Sequence, residues 1–330
     1  MNKLTLISRR RALGTLAALP AIGAIPSGAF AQPYPNKMLK LTVPFPAGGG
    51  GDVMARLVTA KMAETLGQQF IIDSRAGAGG NIGSTAAAKS DPDGYNLLYG
   101  TNGTLAINHA LYKSAGFDPF RDFEPVSRLT EIALVVVVNP SVPVNSLKEL
   151  IAYARANPGK LNAATAGSGT TSHLAAELFK QQFGVDWLIV HYRGGAQAMT
   201  DMISGLAHVM IEVMPNAMQH VRANTLKGLA VTSPTRWQDP EIPTMAEAGV
   251  DGFSLTAWDA LLMPKGSPAA AIARVNEAAT SALSDSQLQK ALLERGAKAV
   301  PGSPDDLRTF MESEYKRWGD IVRAAGAKVD

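Results

Sequence analysis

The chain has 330 residues, with 31 basic and 28 acidic side chains and no cysteine. The absence of cysteine excludes disulfides, thiolate nucleophiles and cysteine-based metal sites. About 300 residues remain after the amino-terminal segment described next, which is more than one hydrophobic core usually holds, so two lobes are expected.

The first 31 residues have the features of a secretory signal peptide. Four basic residues, including the arginines at 9–11, accompany an apolar stretch of small residues, and the segment contains no acid. It ends in Ala-Phe-Ala at 29–31, a cleavage pattern with small residues at both recognition positions. The arginine run resembles a twin-arginine signal, but Ala12 stands where that pattern prefers Phe, so both export routes stay open. We expect cleavage near Ala31/Gln32 and a periplasmic mature chain.

The basic excess of the sequence lies in this segment. Without its four basic residues the chain has 27 basic and 28 acidic side chains, a net charge of −1. The charge therefore gives no support for nucleic-acid or membrane-surface binding. No other apolar run reaches the ~20 residues that a membrane-spanning helix needs.

Alternating strand and helix patterns predict an α/β fold in the first part of the mature chain. The expected strands are residues 39–44, 69–73 and 95–99. The helices between them are expected near residues 52–66 and 82–89. Repeated units of this kind imply a parallel sheet with helices on both faces. Two further strands, at 123–129 and 134–138, are expected where the chain first crosses between lobes.

The same alternation predicts the second lobe. Its helices are expected near residues 146–156, 172–183 and 197–204. Its strands are expected at residues 161–165, 188–192, 209–213 and 228–232. Residues 254–263 would carry the chain back, and helices near 269–284 and 304–325 would pack on the first lobe. The predicted division is a first lobe of residues 32–138 and 258–330 and a second lobe of residues 139–257.

The loop at residues 44–52 is the strongest candidate binding segment. It has four consecutive glycines between a strand's carboxyl end and a helix start, where α/β folds bind ligands. Glycines let the backbone approach a ligand, and a helix N-terminus adds free N–H donors and partial positive charge. Such a loop can hold a carboxylate without Arg or Lys. Asp52 fits the N-cap of the following helix. A tight turn without a ligand is the alternative.

Two other loops invite comparison. Residues 75–83 lack the spacing of the dinucleotide and P-loop fingerprints, which excludes a nucleotide site there and favours a structural turn. Residues 167–172 combine glycines with hydroxyls ahead of a helix, which suits recognition of carboxylates and hydroxyls. The enzymatic alternative is a hydrolase with Ser168 or Ser172 as nucleophile beside His173. Adjacent Ser and His side chains point in different directions at a helix start, and no G-x-S-x-G motif is present.

Three side chains outside these loops have open roles. Arg193 either clamps a distal carboxylate or is solvated or paired structurally. Glu212 lies in an apolar strand, so it must face the cleft, a partner or solvent. Trp258 is expected in the core. The five histidines lack metal-ligand spacing, so neither a metal nor another cofactor is expected.

Several motifs match one family in order and spacing along the mature chain. They include P-F-P-A-G-G-G-x-D at 44–52, R-x-G-A-G-G-N-I-G at 75–83 and P-D-G-Y-x-L-L at 92–98. Others are H-L-A-A-E-L-F at 173–179 and P-T-M-A-E-A-G at 243–249. Together they resemble the Bug family, the TctC-type receptors of tripartite tricarboxylate transporters.

The resemblance implies a periplasmic-binding-protein fold (type II, Venus-flytrap), with two α/β lobes joined by two crossing strands and a ligand carboxylate between them. It implies a receptor rather than an enzyme, which delivers a small carboxylate to the permease subunits of a tripartite tricarboxylate transporter. A membrane sensor kinase is the alternative partner. A monomer without a nucleic-acid partner is expected. The expected ligand-binding residues are Phe45, Pro46, Ala47, Gly48, Gly49, Asp52, Thr101, Asn102, Ser168, Gly169, Thr170, Thr171, Ser172, Arg193, Glu212 and Asp259.

Three positions depart from the family pattern. Gly51 replaces the usual Thr or Ser, Arg193 stands where the family often has Lys, and the W-x-G pattern reads Trp258-Asp259-Ala260. An Asp in the cleft would repel a second carboxylate unless it binds a hydroxyl or ammonium group. A smaller or aromatic acid is therefore expected over a tricarboxylate such as citrate.

Overall fold

The computed structural model describes residues 34–237 and 242–327. The predicted signal segment lies outside these ranges. The strands are β1 (Leu39–Val43), β2 (Phe70–Ser74), β3 (Asn96–Thr101), β4 (Phe123–Val138), β5 (Asn162–Thr165), β6 (Leu188–His191), β7 (Val209–Val213), β8 (Lys227–Val231), β9 (Thr256–Pro264) and β10 (Ala297–Ala299).

The helices alternate with these strands through most of the described chain. They are α1 (Gly50–Leu66), α2 (Asn81–Ala88), α3 (Asn108–Leu111), α4 (Leu147–Ala156), α5 (Thr171–Phe183), α6 (Gly195–Ser204), α7 (Met214–Arg222), α8 (Ala269–Ser284), α9 (Ser286–Leu293) and α10 (Pro304–Ala325). A π-helical turn, Gly103–Ile107, follows β3. Within the described ranges, no helix has both the length and the hydropathy of a membrane span.

The strands form two sheets that share β4. In the first sheet β1 lies between β2 and β3 and is parallel to both, and β9 runs antiparallel between β3 and β4. In the second sheet β5 lies parallel between β6 and β7, and β4 runs antiparallel to β7 and β8. Each sheet therefore has the parallel core that the sequence predicts, and each receives a return strand of opposite direction.

Strand β4 joins the two sheets. Its residues 123–133 pair with β9, and its residues 134–138 pair with β7 and β8. The sequence predicted two separate strands here, and the structure has one of 16 residues. The run from Leu134 to Val138 is fully buried, as expected for a strand covered on both faces. Because β7 and β8 both pair with this run, the chain continues as a strand rather than turning between the lobes.

The return crossing lies beside β4. The Thr232 N–H donates to the Leu134 carbonyl (2.9 Å), and the Leu255 N–H donates to the Thr232 carbonyl (3.0 Å). Strand β9 then begins at Thr256, opposite Ala133. Two neighbouring strand segments therefore carry the chain between the sheets, and this narrow connection defines the hinge of the fold.

Helices cover both faces of the first sheet. The buried stripe of α1, formed by Met54, Val58, Met62 and Leu66, packs into the main core. Trp258 is 2% exposed and lies in a separate cluster with Leu307 and Met311 of α10. The core location predicted for Trp258 is therefore confirmed.

Glu314 connects α10 to the crossing strand β9. The indole N–H groups of Trp258 and Trp318 both donate to Glu314 Oε2, at 2.8 and 2.9 Å, and Arg317 bonds Oε1 at 3.0 Å. Glu314 is 5% exposed. A buried N–H without an acceptor costs about 1–3 kcal/mol, so this one carboxylate satisfies two costly donors.

We expect Glu314→Leu to lower the free energy of unfolding by about 2–5 kcal/mol, because both indole N–H groups lose their acceptor. Glu314→Gln retains an acceptor oxygen and is the matched control, with a smaller expected loss. Urea unfolding followed by tryptophan fluorescence measures both. Equal losses in the two variants would contradict this account of the network.

Candidate functional site

A cavity of about 90 Å³ lies where the loops of the two sheets meet, and we call it the cleft cavity. Ile132 of β4 and Ala257 of β9 line it at the crossing strands. The remaining walls come from the loops that follow β1 and β3 in the first sheet and from the starts of α5, α6 and α7 in the second. Its size suits a small organic molecule, with space for several water-sized volumes.

Helix N-termini converge on the cleft cavity from both sheets. Residues of the first turn of α1, α5, α6 and α7 line it. Neither α1 nor α6 has a side chain that caps its N-terminus, and their N-cap residues are Gly49 and Gly194. The first N–H groups of a helix have no partner within it and carry partial positive charge. The uncapped starts of α1 and α6 can therefore bind an anion without a charged side chain.

The lining contains unpaired polar atoms as well. Asn102 Nδ2, Ser172 Oγ and Glu212 Oε2 are buried and make no hydrogen bond within the described residues. All three residues are at most 3% exposed. No Lys, Arg or His is among the described residues that line the cavity. Buried polar atoms normally have partners, so these three atoms are available to hydrogen-bond a ligand.

Two buried carboxyl groups also line the cleft cavity. Burial raises the pKa of Glu212 to about 7, against the opposing effects of Ser172 and Asn216. Burial likewise raises the pKa of Asp259 to about 7, although the hydroxyls of Tyr99 and Thr130 donate to its Oδ2 and lower it. Glu212 is 3% and Asp259 4% exposed. Desolvation penalises the charged form, so both groups exchange protons near neutral pH.

The two halves of the cleft touch each other in this structure. Thr171 Oγ1 donates to Asn102 Oδ1 (2.9 Å), and the Tyr112 hydroxyl donates to the Ser168 carbonyl (2.9 Å). A Cβ atom on Gly194 would lie 2.6 Å from Pro46 Cγ, far inside van der Waals contact. Only a glycine at that position permits this closed arrangement.

The structure brings ten of the predicted ligand-binding residues together in the cleft cavity. They are Phe45, Pro46, Gly49, Thr101, Asn102, Thr170, Thr171, Ser172, Glu212 and Asp259. The other six lie outside its lining and are Ala47, Gly48, Asp52, Ser168, Gly169 and Arg193.

Sequence reasoning missed part of the lining. The additional residues are Gly50, Gly51, Gly103, Ile132, Ala166, Gly194, Gly195, Ala196, Val213, Pro215 and Ala257. The Gly-Gly turn after β6 was a usable signal for the α6 start, because it has the same strand–glycine–helix form as the loop after β1. The apolar members Ile132 and Ala257 carry no such signal.

Asp52 does not cap α1, which corrects the predicted N-cap. Helix α1 begins at Gly50, so Asp52 lies inside its first turn. Its carboxylate accepts the Gly48 N–H (3.0 Å), the Ser74 hydroxyl (3.3 Å) and the Arg56 guanidinium (2.9 Å). These contacts lower its pKa, although burial acts against them. Asp52 therefore holds the glycine loop in its shape without itself lining the cavity.

A more open groove adjoins the cleft cavity on the side of Arg193. Ser168 and Arg193 line this groove, together with residues 76–80 of the second glycine loop. Asn108 Nδ2 donates to the Gly79 carbonyl (3.0 Å) and to Asn81 Oδ1 (2.7 Å), which holds that loop in place. The loop after β2 is thus built as a structural turn, as predicted, and it borders the groove rather than the cavity.

Both ring nitrogens of His173 contact groups other than the serine hydroxyls of its loop. Its Nδ1 accepts the Gly169 N–H (3.2 Å), and its Nε2 lies 3.7 Å from Glu177 Oε1. The Ser172 hydroxyl has no partner within the described residues. A nucleophilic serine needs a base within hydrogen-bond reach, and His173 is not in contact with the Ser172 hydroxyl.

Comparison with known proteins identifies the family. Residues 54–327 match the family model described as tripartite tricarboxylate transporter family receptor. The chain belongs to this TctC/Bug receptor family. It is 36% identical over 321 residues to BugT of Bordetella pertussis, covering 97% of this chain and 98% of BugT. The resemblance drawn from the motifs is therefore confirmed.

Solved structures support the fold. The Rpa4515 protein of R. palustris with adipate has a TM-score of 0.87 and 36% identity, and the match covers 90% of this chain and 100% of that one. The periplasmic binding protein BugD has a TM-score of 0.86 and 31% identity, covering 89% and 99%. The predicted type II periplasmic-binding-protein fold is confirmed, and family members of this kind are periplasmic solute-binding proteins.

We expect Gly194→Ala to hold the cleft open, because the new Cβ would meet Pro46 of the opposite half. Gly194 has an extended backbone with φ of 163°, so alanine is not strained there by itself. Small-angle X-ray scattering should give a larger radius of gyration than wild type. Gly302→Ala is the control, since its Cβ would make only an ordinary contact of 3.4 Å. Identical curves for all three proteins would contradict closure through this contact.

We expect Asp259→Asn to change the pH dependence of stability. With a folded pKa near 7 and an unfolded pKa near 4, wild-type folding takes up a proton at Asp259 between these values. Its contribution to unfolding free energy therefore falls as pH rises through this window, by at most about 1.4 kcal/mol per pH unit. The variant lacks this fall, so its stability relative to wild type should be higher at about pH 8 than at about pH 5. Urea unfolding at both pH values measures the difference, and a pH-independent difference would contradict the raised pKa.

Proposed function

We propose that this protein is an exported receptor that captures a small carboxylate between two lobes and delivers it to the permease subunits of a tripartite tricarboxylate transporter. The observation that carries the proposal is the pair of uncapped helix starts, α1 and α6, which face one cavity from opposite sheets. A carboxylate bound there would contact both halves at once. Its binding would therefore stabilise the closed cleft, which is the conformation that a permease can recognise.

The donors are sufficient for useful affinity. Each hydrogen bond to a charged group contributes about 1.5–3 kcal/mol, and a micromolar dissociation constant corresponds to about 8 kcal/mol. Several backbone N–H groups, with Asn102 Nδ2 and Ser172 Oγ, supply enough donors to reach that value after the cost of association. The adipate complex of Rpa4515 supports extending carboxylate binding to this chain.

We also propose that residues 1–31 act as an export signal that is removed near Ala31/Gln32. The proposed lobes are residues 32–138 with 258–330 and residues 139–257, whereas the pairing along β4 changes from β9 to β7 between residues 133 and 134. The protein acts by binding and closure without catalysing a reaction, and no cofactor takes part.

Calorimetric titration against a panel of organic acids tests carboxylate capture. Micromolar binding of at least one carboxylate is expected. A folded protein that binds no member of the panel would contradict the proposal. Uptake of the bound acid by cells with the permease genes, lost when only this receptor is deleted, tests delivery.

We expect Ser172→Ala to weaken the carboxylate found in that screen about tenfold, through loss of one donor to a charged group. Stability should change little, because Ser172 Oγ makes no hydrogen bond within the described chain. Ser84→Ala is a matched control, since Ser84 Oγ is also buried and unpaired but lies outside the cavity lining. Equal affinities for wild type and both variants would argue against a ligand at Ser172.

A further inference from the structure

Two carboxyl groups enter the cleft cavity from opposite sheets. Glu212 is on β7 of the second sheet, and Asp259 is on β9 of the first. Each is at most 4% exposed, and both line the cavity. A pair of acids is not a site by itself, but three unpaired and buried polar atoms, including Glu212 Oε2, face the same space.

Each carboxyl group has one oxygen that is left for a ligand. Asn216 Nδ2 makes a weak contact of 3.5 Å with Glu212 Oε1, while Oε2 has no hydrogen-bond partner in the described ranges. Asp259 Oδ2 accepts the hydroxyls of Tyr99 and Thr130, and no described residue donates to Oδ1. These hydroxyls hold Asp259 in a fixed position. They also leave its second oxygen with its lone pairs unused.

Among the residues that the structure describes, no cation neutralises the two acids. Their surroundings contain Tyr99, Thr130, Ser172 and Asn216, and none of these side chains is positively charged. Buried carboxylates in proteins are normally paired or hydrogen-bonded, because an unpaired one is costly. A ligand with only carboxylate groups would add like charge beside them, which raises this cost.

We propose that the captured solute is an aminocarboxylate, whose protonated amine binds Glu212 and Asp259 while its carboxylate binds the uncapped helix starts. The inference rests on the proposed function, because it specifies the second end of the same ligand. An ammonium group has three donors and no acceptor, which matches the free carboxyl oxygens. Its charge neutralises the acids, and the zwitterion brings no net charge into the cavity.

Matched pairs of ligands separate this inference from carboxylate capture in general. The probes are succinate with 3-aminopropanoate, glutarate with 4-aminobutanoate, and adipate with 5-aminopentanoate. Calorimetry at neutral pH should find that the tightest ligand is an aminocarboxylate, at least about tenfold tighter than its dicarboxylate counterpart. Tighter binding of the dicarboxylate in every pair would overturn the inference and leave the proposed function standing. Binding of no probe by the folded protein would count against both.

Variants of the two acids provide the second test. Asp259→Asn and Glu212→Gln should each weaken the aminocarboxylate at least about tenfold, because a neutral amide does not compensate an ammonium charge. Binding of the matched dicarboxylate should be unchanged or tighter. Glu131→Gln is the control, since Glu131 lies on β4 outside the cavity lining and contacts Thr256. Equal weakening of both ligand types, in variants that remain folded by circular dichroism, would overturn the inference.

Discussion

The site depends on helix N-termini that have no side-chain caps. A helix start has N–H groups with no partner in the helix, and water or a side chain normally satisfies them. In α1 and α6 the N-cap residue is a glycine and no side chain caps the N-terminus. Both starts line a small cavity between the lobes. These donors are therefore available to a ligand, and the two sheets bring them to one cavity.

Strand β4 is what makes that arrangement possible. Because it belongs to both sheets, each sheet ends its parallel strands at the same interface, and the carboxyl ends of β1, β3 and β7 point loops into one space. This strand and the return segment at Thr232 are the two places where the chain passes between the sheets. Small residues then decide how closely the lobes approach. Gly194 lies against Pro46, and Gly79 lies so near the Ser168 carbonyl that a Cβ would be 2.3 Å from it.

The sequence predicted local elements better than it predicted their junctions. The strand at 209–213 and the helices at 269–284 and 304–325 match the observed bounds, because each has a complete periodic pattern and a clear end. Helix α7 was missed, because it follows β7 without a loop and begins with Met214-Pro215, which reads as a turn. Helix α9 was missed because its N-cap, Asp285, comes directly after α8. The sequence pattern therefore indicates one helix followed by a loop rather than two helices.

The candidate site shows the same limit. Glycine loops after strands are visible in a sequence, so the Phe45 and Thr170 segments were found. Contacts between residues far apart in the chain are not visible. Tyr99 and Asp259 are 160 positions apart, and only the antiparallel pairing of β3 with β9 makes them neighbours.

That pairing also explains why an acid is tolerated in the cleft. Asp259 receives two hydroxyl donors on one oxygen, so it does not need a cation from the protein to remain in place. Burial still raises its pKa, and the same holds for Glu212 across the cavity. The helix starts provide positive potential from the backbone, whereas the two carboxyl groups provide the only side-chain charge in the described lining. A cavity built in this way distinguishes ligands by where they carry charge, because its donors are fixed in the backbone and its acceptors are fixed by strands.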